Sequence, residues 1–246
     1  MSLRHHEISE ANHRILNPFT EEKLRLLGEV TGVASGARVL DLACGKGELL
    51  CRWAEWFGSE GVGVDLSPVF LSAAVARAVE LGVVERLTFI QGDAATYEPE
   101  SGAFDVASCI GATWIGGGLA GTVELLRPAI SRGGRILIGE PFWAEPPPEE
   151  AISAFGFGAD EFVSLEGTLD RFEAADLELV EMVLADSNSW DRYEAAQWRT
   201  IVDWLDANPA DPDHDAMREF LDTRRRNHLR WRRRYLGWGV FVTRPR

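Results

Sequence analysis

The sequence predicts an α/β fold in which helices cover both faces of a mainly parallel β-sheet. Short apolar runs alternate with helix-like hydrophobic periods between residues 37 and 140, and this alternation is typical of strand–helix–strand units. The chain has 246 residues, 46% of them hydrophobic, and no apolar run long enough to span a bilayer. A globular chain of this size buries a core of its own without disulfides or a structural metal.

The predicted elements of this first part alternate regularly along the chain. Ser67 is a favourable helix N-cap followed by Pro68 at the first helical position, and Gly58 and Gly82 stand where helices would end in left-handed caps. The resulting strands are 37–43, 61–65, 87–91, 104–110 and 135–139, and the helices are 48–57, 69–81 and 119–126.

The rest of the sequence predicts a stiff segment and a long insertion. Three consecutive prolines favour an extended backbone over residues 145–149. The predicted elements that follow are a helix 169–174, a strand 177–184, helical stretches 191–207 and 213–235, and a last strand 238–243. Roughly 50 residues separate the last two strands, which is more than an ordinary connection needs. We therefore expect the inserted helices to cover a site.

The charge distribution bears on possible partners. A net charge of −14 disfavours nucleic-acid binding over most of the surface. The charge is uneven, because ten arginines stand against four acidic residues from Asp213 to the end of the chain. We predict a surface helix whose arginines pair with acids elsewhere in the chain, so nucleic acid is not expected as a partner.

The cysteines indicate a reducing compartment. Cys44, Cys51 and Cys109 are odd in number, show no Cys-x-x-Cys spacing and have no histidine cluster nearby, which argues against a zinc site or a disulfide framework. The N-terminal residues also lack the apolar stretch of a secretory signal. The sequence therefore predicts a cytoplasmic protein with no metal and no membrane segment.

A glycine-containing loop joins the first strand of the core to its first helix. Gly45 and Gly47 allow the backbone to approach a ligand at the carboxyl end of the strand, where open α/β sheets bind ligands. A dinucleotide-binding loop would have a third glycine where Leu50 stands, and Glu48 in the first helical turn would repel a phosphate. The loop therefore favours a ligand without phosphate, and a cationic ligand most of all.

Three aspartates belong to the first three predicted strands. Asp65 ends the second strand, twenty residues after Gly45, where an acid can accept hydrogen bonds from both ribose hydroxyls of an adenosine group. Asp93 ends the third strand, where it can accept a hydrogen bond from the adenine amine. Together with Asp41 they are expected to converge on one crevice. This set suits S-adenosylmethionine, which carries a ribose, an adenine, an ammonium and a sulfonium.

These motifs resemble those of class I S-adenosylmethionine-dependent methyltransferases. The family's first loop reads approximately Asp-x-Gly-x-Gly-x-Gly, and residues 41–47 match it except that Ala43 replaces the first glycine. By this resemblance Asp65 binds the ribose, Asp93 with Ala94 binds the adenine edge, and residues 109–110 form the far wall of the cofactor site. The implied cofactor-binding residues are Asp41, Ala43, Gly45, Gly47, Asp65, Leu66, Asp93, Ala94, Cys109 and Ile110.

The resemblance covers nearly the whole chain. Segments 17–23, 111–115, 140–143 and 237–241 are similar to those of a functionally uncharacterised bacterial branch of small-molecule-type methyltransferases. The implied fold is a Rossmann-like, doubly wound seven-stranded sheet of order 3-2-1-4-5-7-6 with the last strand antiparallel. The implied organisation is one domain, 1–246, with N-terminal cap helices in 1–35, the core in 36–185 and 237–246, and a helical insertion or lid in 186–236.

In that fold the methyl acceptor lies above the ends of strands four and five. Trp114 and Trp143 occupy the loops there, and Trp190 and Tyr193 begin the insertion, so these four form the predicted substrate pocket. Glu140 is the candidate catalytic residue, which would orient a hydroxyl or amine nucleophile or take its proton. The predicted reaction is in-line methyl transfer from S-adenosylmethionine to a small-molecule nucleophile, with S-adenosylhomocysteine as the product.

Three other functions remain open from the residues alone. A dinucleotide-dependent oxidoreductase is disfavoured by Leu50 and Glu48. A noncatalytic S-adenosylmethionine-binding protein is compatible with every motif, because methyl transfer has no single indispensable residue. An RNA methyltransferase is favoured only by the arginine-rich end. The nucleophilic atom and the oligomeric state stay open as well.

Overall fold

The computed structural model describes residues 2–156, 158 and 161–246, and its centre is a single seven-stranded sheet. The strand order is β3-β2-β1-β4-β5-β7-β6, with β7 antiparallel to β5 and β6 and the other neighbours parallel, which confirms the predicted fold class and order. The strands are β1 (Arg38–Leu42), β2 (Glu60–Asp65), β3 (Leu87–Gln91), β4 (Phe104–Ile110), β5 (Ile130–Trp143), β6 (Leu177–Leu184) and β7 (Leu236–Pro245).

Helices surround the sheet and come from all parts of the chain. They are α1 (Leu3–Ser9), α2 (Glu21–Thr31), α3 (Glu48–Phe57), α4 (Pro68–Glu80), α5 (Leu119–Leu126), α6 (Glu149–Phe155), α7 (Leu165–Ala174), α8 (Ser187–Ala207), α9 (His214–Asn227) and the short α10 (Arg233–Tyr235). Ser67 caps α4 as predicted, since its hydroxyl accepts a hydrogen bond from the amide of Phe70. In the part of the chain described, no helix combines the length and apolarity needed to cross a bilayer.

Two apolar clusters fill the two faces of the sheet. One contains Leu24 and Leu27 of α2 and Trp53 of α3, and the other contains Val123 of α5 and Phe172 of α7. Strand β5 contributes alternate side chains to the two clusters, because successive residues of a strand point to opposite faces. This alternation decides which residues of β4 and β5 can reach a site on either face.

Strand β5 is much longer than the sequence pattern predicts. It begins five residues before the predicted 135–139 and ends four residues after it. Residues from Ile136, opposite Thr243, to Trp143, opposite Leu236, pair with β7. The proline at 141 breaks the apolar pattern, and only the antiparallel pairing with β7 reveals that the strand continues. The extension carries residues 140–143 along the sheet and away from a simple loop at its end.

The insertion between β6 and β7 differs from the prediction at its helix boundaries. Helix α8 begins four residues early, because the Asp186 carboxylate accepts a hydrogen bond from the Ser189 amide at 2.8 Å and caps the helix. The stretch 213–235 is three pieces: α9, a π-helical turn over His228–Arg232, and α10. The structure also contains α6, which the sequence pattern did not predict and which starts directly after the three prolines.

The arginines of the C-terminal part pair with acids, as predicted. Arg224 forms a two-pronged ion pair with Glu194, whose side chain is completely buried. The other pairs formed by the 224–234 stretch are Arg232 with Glu194, Arg233 with Asp191 and Arg234 with Glu145. Four arginines of this stretch therefore form ion pairs with acidic side chains of the same chain.

Candidate functional site

The loop between β1 and α3 bends sharply through left-handed backbone conformations. Ala43, Gly45 and Gly47 have φ angles of 59°, 54° and 64°. At Gly45 the left-handed backbone favours glycine, and a Cβ there would lie 2.7 Å from Leu16 Cδ1, so that side chain would have to shift. The Asp65 carboxylate holds the bend from the neighbouring strand by accepting hydrogen bonds from the amides of Gly45 and Ser67, each at 2.8 Å.

The three aspartates singled out in the sequence line one cavity. Asp41 is buried at the end of β1 and accepts a hydrogen bond from the Ser108 hydroxyl at 2.7 Å. Burial raises the pKa of Asp41 to about 7, and burial also raises the pKa of Asp65. Asp93 is exposed and accepts a hydrogen bond from the Ala95 amide. The sheet topology thus brings together acids from three separate parts of the sequence.

The N-terminal segment covers this loop. The Lys46 ammonium donates hydrogen bonds to the backbone carbonyls of Glu10, Ala11 and His13 at 2.7–2.8 Å. Further along, the Asn17 amide donates to the carbonyl of Ile110 at the end of β4. The segment is thereby fastened to the glycine loop and to the sheet, and it closes the cavity from above.

The resulting cavity of about 380 Å³ has two walls of different origin. The strand wall comes from the ends of β1, β2, β3 and β4 and their following loops, and it includes Asp41, Ala43, Gly45, Asp65, Leu66, Asp93, Ala94 and Ile110. The helix wall comes from the N-terminal segment, α8 and α9, and it includes His6, Glu10, Phe19, Trp190, Tyr193, Gln197 and Arg224. Trp114 also lines the cavity, although 71% of its surface is exposed.

Aromatic side chains fill the helix wall. Trp190 is buried, stacks on Tyr193 with ring centroids 6.2 Å apart, and donates its indole N–H to the carbonyl of Leu236 at 2.8 Å. Phe19 contacts Trp238 edge to face at 5.1 Å. The insertion therefore contributes Trp190 and Tyr193 to the lining of the cavity.

Two predicted site residues face the other side of the sheet. Ile110 and Pro141 line the cavity, so the alternation of side chains along β4 and β5 directs the neighbouring Cys109 and Glu140 to the opposite face. Cys109 is completely buried there, and Glu140 is 3% exposed. The sequence prediction is therefore corrected: neither side chain lies at the cavity surface.

Glu140 instead occupies a buried polar position behind the sheet. Burial raises the pKa of Glu140 to about 7, and the charge of Arg171 and a hydrogen bond with Thr113 act in the opposite direction. The raised pKa of this carboxyl is in the range that suits a general base, but the side chain does not line the cavity.

Trp143 and Gly47 also lie away from the cavity surface. Trp143 points to the same face as Pro141, but it packs between Phe155, at 5.8 Å, and Phe162, at 6.0 Å, where α6 and the segment after it cover the ring. Gly47 is the N-cap of α3 and lies on the inner side of the glycine loop. Trp143 therefore packs in the apolar core and Gly47 caps a helix, and neither is among the residues that line the cavity.

Several polar residues of the helix wall could not be identified as site residues from the sequence. Glu10, Gln197 and Arg224 come from α1, α8 and α9, and no local motif marks them. Glu10 meets Tyr193 across 183 residues of chain, with the two side-chain oxygens 2.6 Å apart. Only the folded arrangement of the N-terminal segment against the insertion brings these groups together.

The three cysteines are free thiols in apolar surroundings. Burial raises the pKa of Cys44 well above its ordinary value and that of Cys51 to about 12, so these thiols stay protonated at neutral pH. Within residues 2–156, 158 and 161–246, no three histidine, cysteine or acidic side chains are grouped so as to hold a metal ion.

Comparisons with known proteins agree with this architecture. A family model described as "Methyltransferase domain" matches residues 39–129. The chain is 48% identical to the Escherichia coli K12 protein named "Uncharacterized protein YjhP" over 96% of this chain and 95% of that one, and it superposes on the X-ray structure of YjhP with a TM-score of 0.95.

A solved relative carries a bound ligand. The structure of a SAM-dependent methyltransferase from Geobacter sulfurreducens in complex with S-adenosyl-L-homocysteine is 46% identical, covers 100% of this chain and 99% of its own, and has a TM-score of 0.96. More distantly, a Pseudomonas putida ubiquinone/menaquinone biosynthesis C-methyltransferase is 28% identical over 66% of this chain and 60% of that protein.

Proposed function

Because this chain belongs to the class I S-adenosylmethionine-dependent methyltransferases, we propose that it methylates a small-molecule nucleophile held in the cavity between the strand wall and the helix wall. The observation that carries the proposal is the continuity of one cavity from the three aspartates to Trp190 and Tyr193. A cofactor on one wall thereby faces a space on the other that is lined for a compact organic molecule.

The strand wall fits S-adenosylmethionine. The backbone at Gly45 bends where a side chain would collide, and each oxygen of Asp65 keeps a further lone pair for a ribose hydroxyl after accepting one backbone amide. Asp93 and Ala94 stand where they would contact the adenine, and Asp41 adds a buried acid beside the loop. When bound, S-adenosylmethionine supplies a methyl group activated on a sulfonium, so the protein's main task is to position the acceptor.

The helix wall supplies the proposed acceptor site. Trp190 and Tyr193 present a pair of stacked rings, and Trp114 lines the same cavity. The Lys46 contacts with three carbonyls hold the N-terminal segment against the glycine loop, beside this wall. A macromolecular acceptor would require the same segment to move aside.

The charge of the protein also favours a small-molecule acceptor over RNA. The chain carries a net charge of −14, and arginines of the 224–234 stretch are engaged with Glu194, Asp191 and Glu145. An RNA acceptor would have to compete with these ion pairs for its phosphates. A small molecule meets no such barrier.

The proposal is tested by the destination of the methyl group. The full-length protein is incubated with S-adenosylmethionine labelled in the methyl group and, separately, with the small-molecule, tRNA and protein fractions of a bacterial extract at physiological salt. We expect label to accumulate in the small-molecule fraction. Label found only in tRNA or only in protein would contradict the proposed function.

A further inference from the structure

A buried carboxyl lies at the end of α1, on the helix wall of the cavity. Glu10 is 1% exposed and lines the cavity, while its backbone carbonyl is tied to the glycine loop through Lys46. Unlike Glu140, this buried glutamate is therefore on the cavity side of the sheet and directly connected to the loop of the strand wall.

The two oxygens of this carboxyl have different surroundings. Oε1 accepts hydrogen bonds from the Tyr193 hydroxyl, at 2.6 Å, and from the Gln197 amide. Oε2 has no hydrogen-bond partner among the residues that the structure describes, although it is buried. His13 Nδ1 lies 3.2 Å from Oε2, but the two groups do not meet in hydrogen-bond geometry. One oxygen is thus held by two donors, and the other is a buried acceptor without a hydrogen bond, whose desolvation an entering donor would offset.

The contacts of Tyr193 let Glu10 hold a proton as well as lose one. The Tyr193 hydroxyl lies 2.6 Å from Glu10 Oε1 and 3.0 Å from the carbonyl oxygen of Leu16, and its single hydrogen serves one of them at a time. With Glu10 ionised, Tyr193 donates to Oε1. With Glu10 protonated on Oε2, Oε1 still accepts a hydrogen bond from the Gln197 amide, and Tyr193 donates to Oε1 or to Leu16. Both protonation states are therefore hydrogen-bonded without a change of position.

Charged groups face Glu10 from every neighbouring element. Lys46 approaches from the glycine loop, Arg224 from α9, Glu194 and Tyr193 from α8, and His13 from its own segment. Burial raises the pKa of Glu10 to about 7, against the lowering effect of Tyr193 and Arg224. Burial lowers the pKa of His13, so its ring is neutral at pH 7 and does not compensate the carboxylate. Arg224 and Arg232 both form ion pairs with the carboxylate of Glu194.

We infer that Glu10 is a catalytic residue of the proposed methyl transfer, on which this inference rests: its free Oε2 binds an O–H or N–H of the acceptor and takes the proton. The acceptor's lone pair forms the new bond to the methyl carbon, and the carbon–sulfur bond breaks with its electron pair left on sulfur. The acceptor's proton passes to Glu10 and from there to solvent, so the charge of the sulfonium is balanced by the released proton.

The rest of the cavity defines the class of acceptor. Apolar side chains line the cavity beside the polar groups of the helix wall, namely Phe19, Leu24, Leu27, Leu49, Trp190 and Trp238. The positive charges of Arg224 and Lys46, which act on Glu10, disfavour a cationic acceptor. The structure thus favours a neutral molecule with an apolar body and one hydroxyl or uncharged amine directed at Glu10.

The test compares two buried glutamates that differ in their side of the sheet. Glu10→Gln keeps the shape of the side chain and removes the base, and Glu140→Gln makes the same change behind the sheet, where the carboxyl also has a pKa of about 7. With the small-molecule extract fraction as acceptor, we expect transfer by Glu10→Gln to fall about 100-fold or more, whereas Glu140→Gln stays within about threefold of wild type. Calorimetry should show S-adenosylhomocysteine affinity within about fivefold of wild type for both.

Two further measurements separate a base from a structural residue. The wild-type rate should fall about tenfold per pH unit below pH 7 and level off above it, and the Glu10→Gln variant should lose this dependence. Carbon-13 spectra of the ¹³C-glutamate-labelled protein should contain a carboxyl signal that titrates near pH 7 and disappears in Glu10→Gln.

The outcomes are distinguishable. A wild-type protein that labels tRNA or protein but no small molecule overturns the proposed function together with this inference. Active wild type combined with a full-rate Glu10→Gln, or with an equal loss in Glu140→Gln, overturns the role of Glu10 alone.

Discussion

The two walls of the cavity are held together by different kinds of interaction. In the strand wall, parallel pairing fixes the strand ends, and the Asp65 carboxylate bridges the Gly45 and Ser67 amides over 20 and two residues of chain. In the helix wall, side chains join segments far apart in sequence, such as Glu10 with Tyr193 and Glu194 with Arg224.

This difference assigns the walls different tasks. A surface built on strand ends and backbone hydrogen bonds is rigid before a ligand arrives, which suits a site for an invariant cofactor. A wall held by a few long-range side-chain contacts can open for an acceptor and close again, which suits the site of exchange.

The largest effect is expected from removing the Arg224–Glu194 ion pair of the helix wall. Arg224→Met leaves the completely buried Glu194 with only Arg232, at 3.5 Å, so we expect the free energy of unfolding to fall by about 3 to 5 kcal/mol. Urea denaturation followed by circular dichroism measures it. Arg199→Met, on the same wall but 85% exposed at its side chain, is the matched control and should change stability by less than about 0.5 kcal/mol. Equal effects of the two substitutions would refute the ionic account of this wall.

The next prediction concerns Glu140, the buried acid outside both walls. Its pKa is about 7 in the folded protein and 4.5 in the reference state, so the folded protein binds the proton more tightly. The resulting stabilisation is complete below pH 4.5 and is lost as the pH rises through 7. Relative to Glu140→Gln, the wild type should therefore lose up to about 3 kcal/mol between pH 5 and pH 8.

Thermal or urea unfolding of both proteins across this pH range checks the sign. A stability difference that does not change with pH would show that Glu140 titrates normally. A wild type that gains stability relative to the variant as the pH rises would show that its carboxylate is stabilised by the fold, contrary to the effect of burial.

The third prediction concerns the strand wall. Asp65→Ala removes the proposed ribose acceptor and the bridge to the Gly45 amide, so S-adenosylmethionine binding should weaken by about 1.5 to 3 kcal/mol while the fold is kept. Calorimetric titration measures the change. Glu60→Ala, at the exposed start of the same strand, serves as the control and should bind like wild type. An unchanged affinity in Asp65→Ala would remove Asp65 from the cofactor site.

The strand wall could be predicted from the sequence because its determinants are local. The glycine bend of residues 43–47 and the acids at 41, 65 and 93 lie at strand ends, and parallel topology brings strand ends together. The helix wall could be predicted only in part. Trp190 and Tyr193 are conspicuous aromatic residues at the start of a long insertion, whereas Glu10 and Gln197 acquire their roles through contacts over more than 180 residues of chain.

Two of the residues that the sequence pattern placed at the site lie on the far face of the sheet for one physical reason. Cys109 and Glu140 are adjacent in sequence to residues that do line the cavity, but side chains alternate along a strand. The sequence pattern placed Glu140 in a loop, where alternation would not apply. The structure continues β5 through Trp143, and this extension turns Glu140 to the far face.

The smallest expected effect also tests the division of labour between the walls most directly. Tyr193→Phe removes only the hydroxyl that contacts Glu10, so the substitution changes the helix wall and leaves the strand wall as it is. Calorimetric titration of S-adenosylhomocysteine into wild type, Asp65→Ala and Tyr193→Phe is combined with methyl transfer to the small-molecule fraction. We predict that Tyr193→Phe keeps its binding free energy within about 1 kcal/mol of wild type while its turnover falls, and that Asp65→Ala loses binding. If Tyr193→Phe instead weakened S-adenosylhomocysteine binding as much as Asp65→Ala does, or kept full turnover, the assignment of cofactor and acceptor to separate walls would be contradicted.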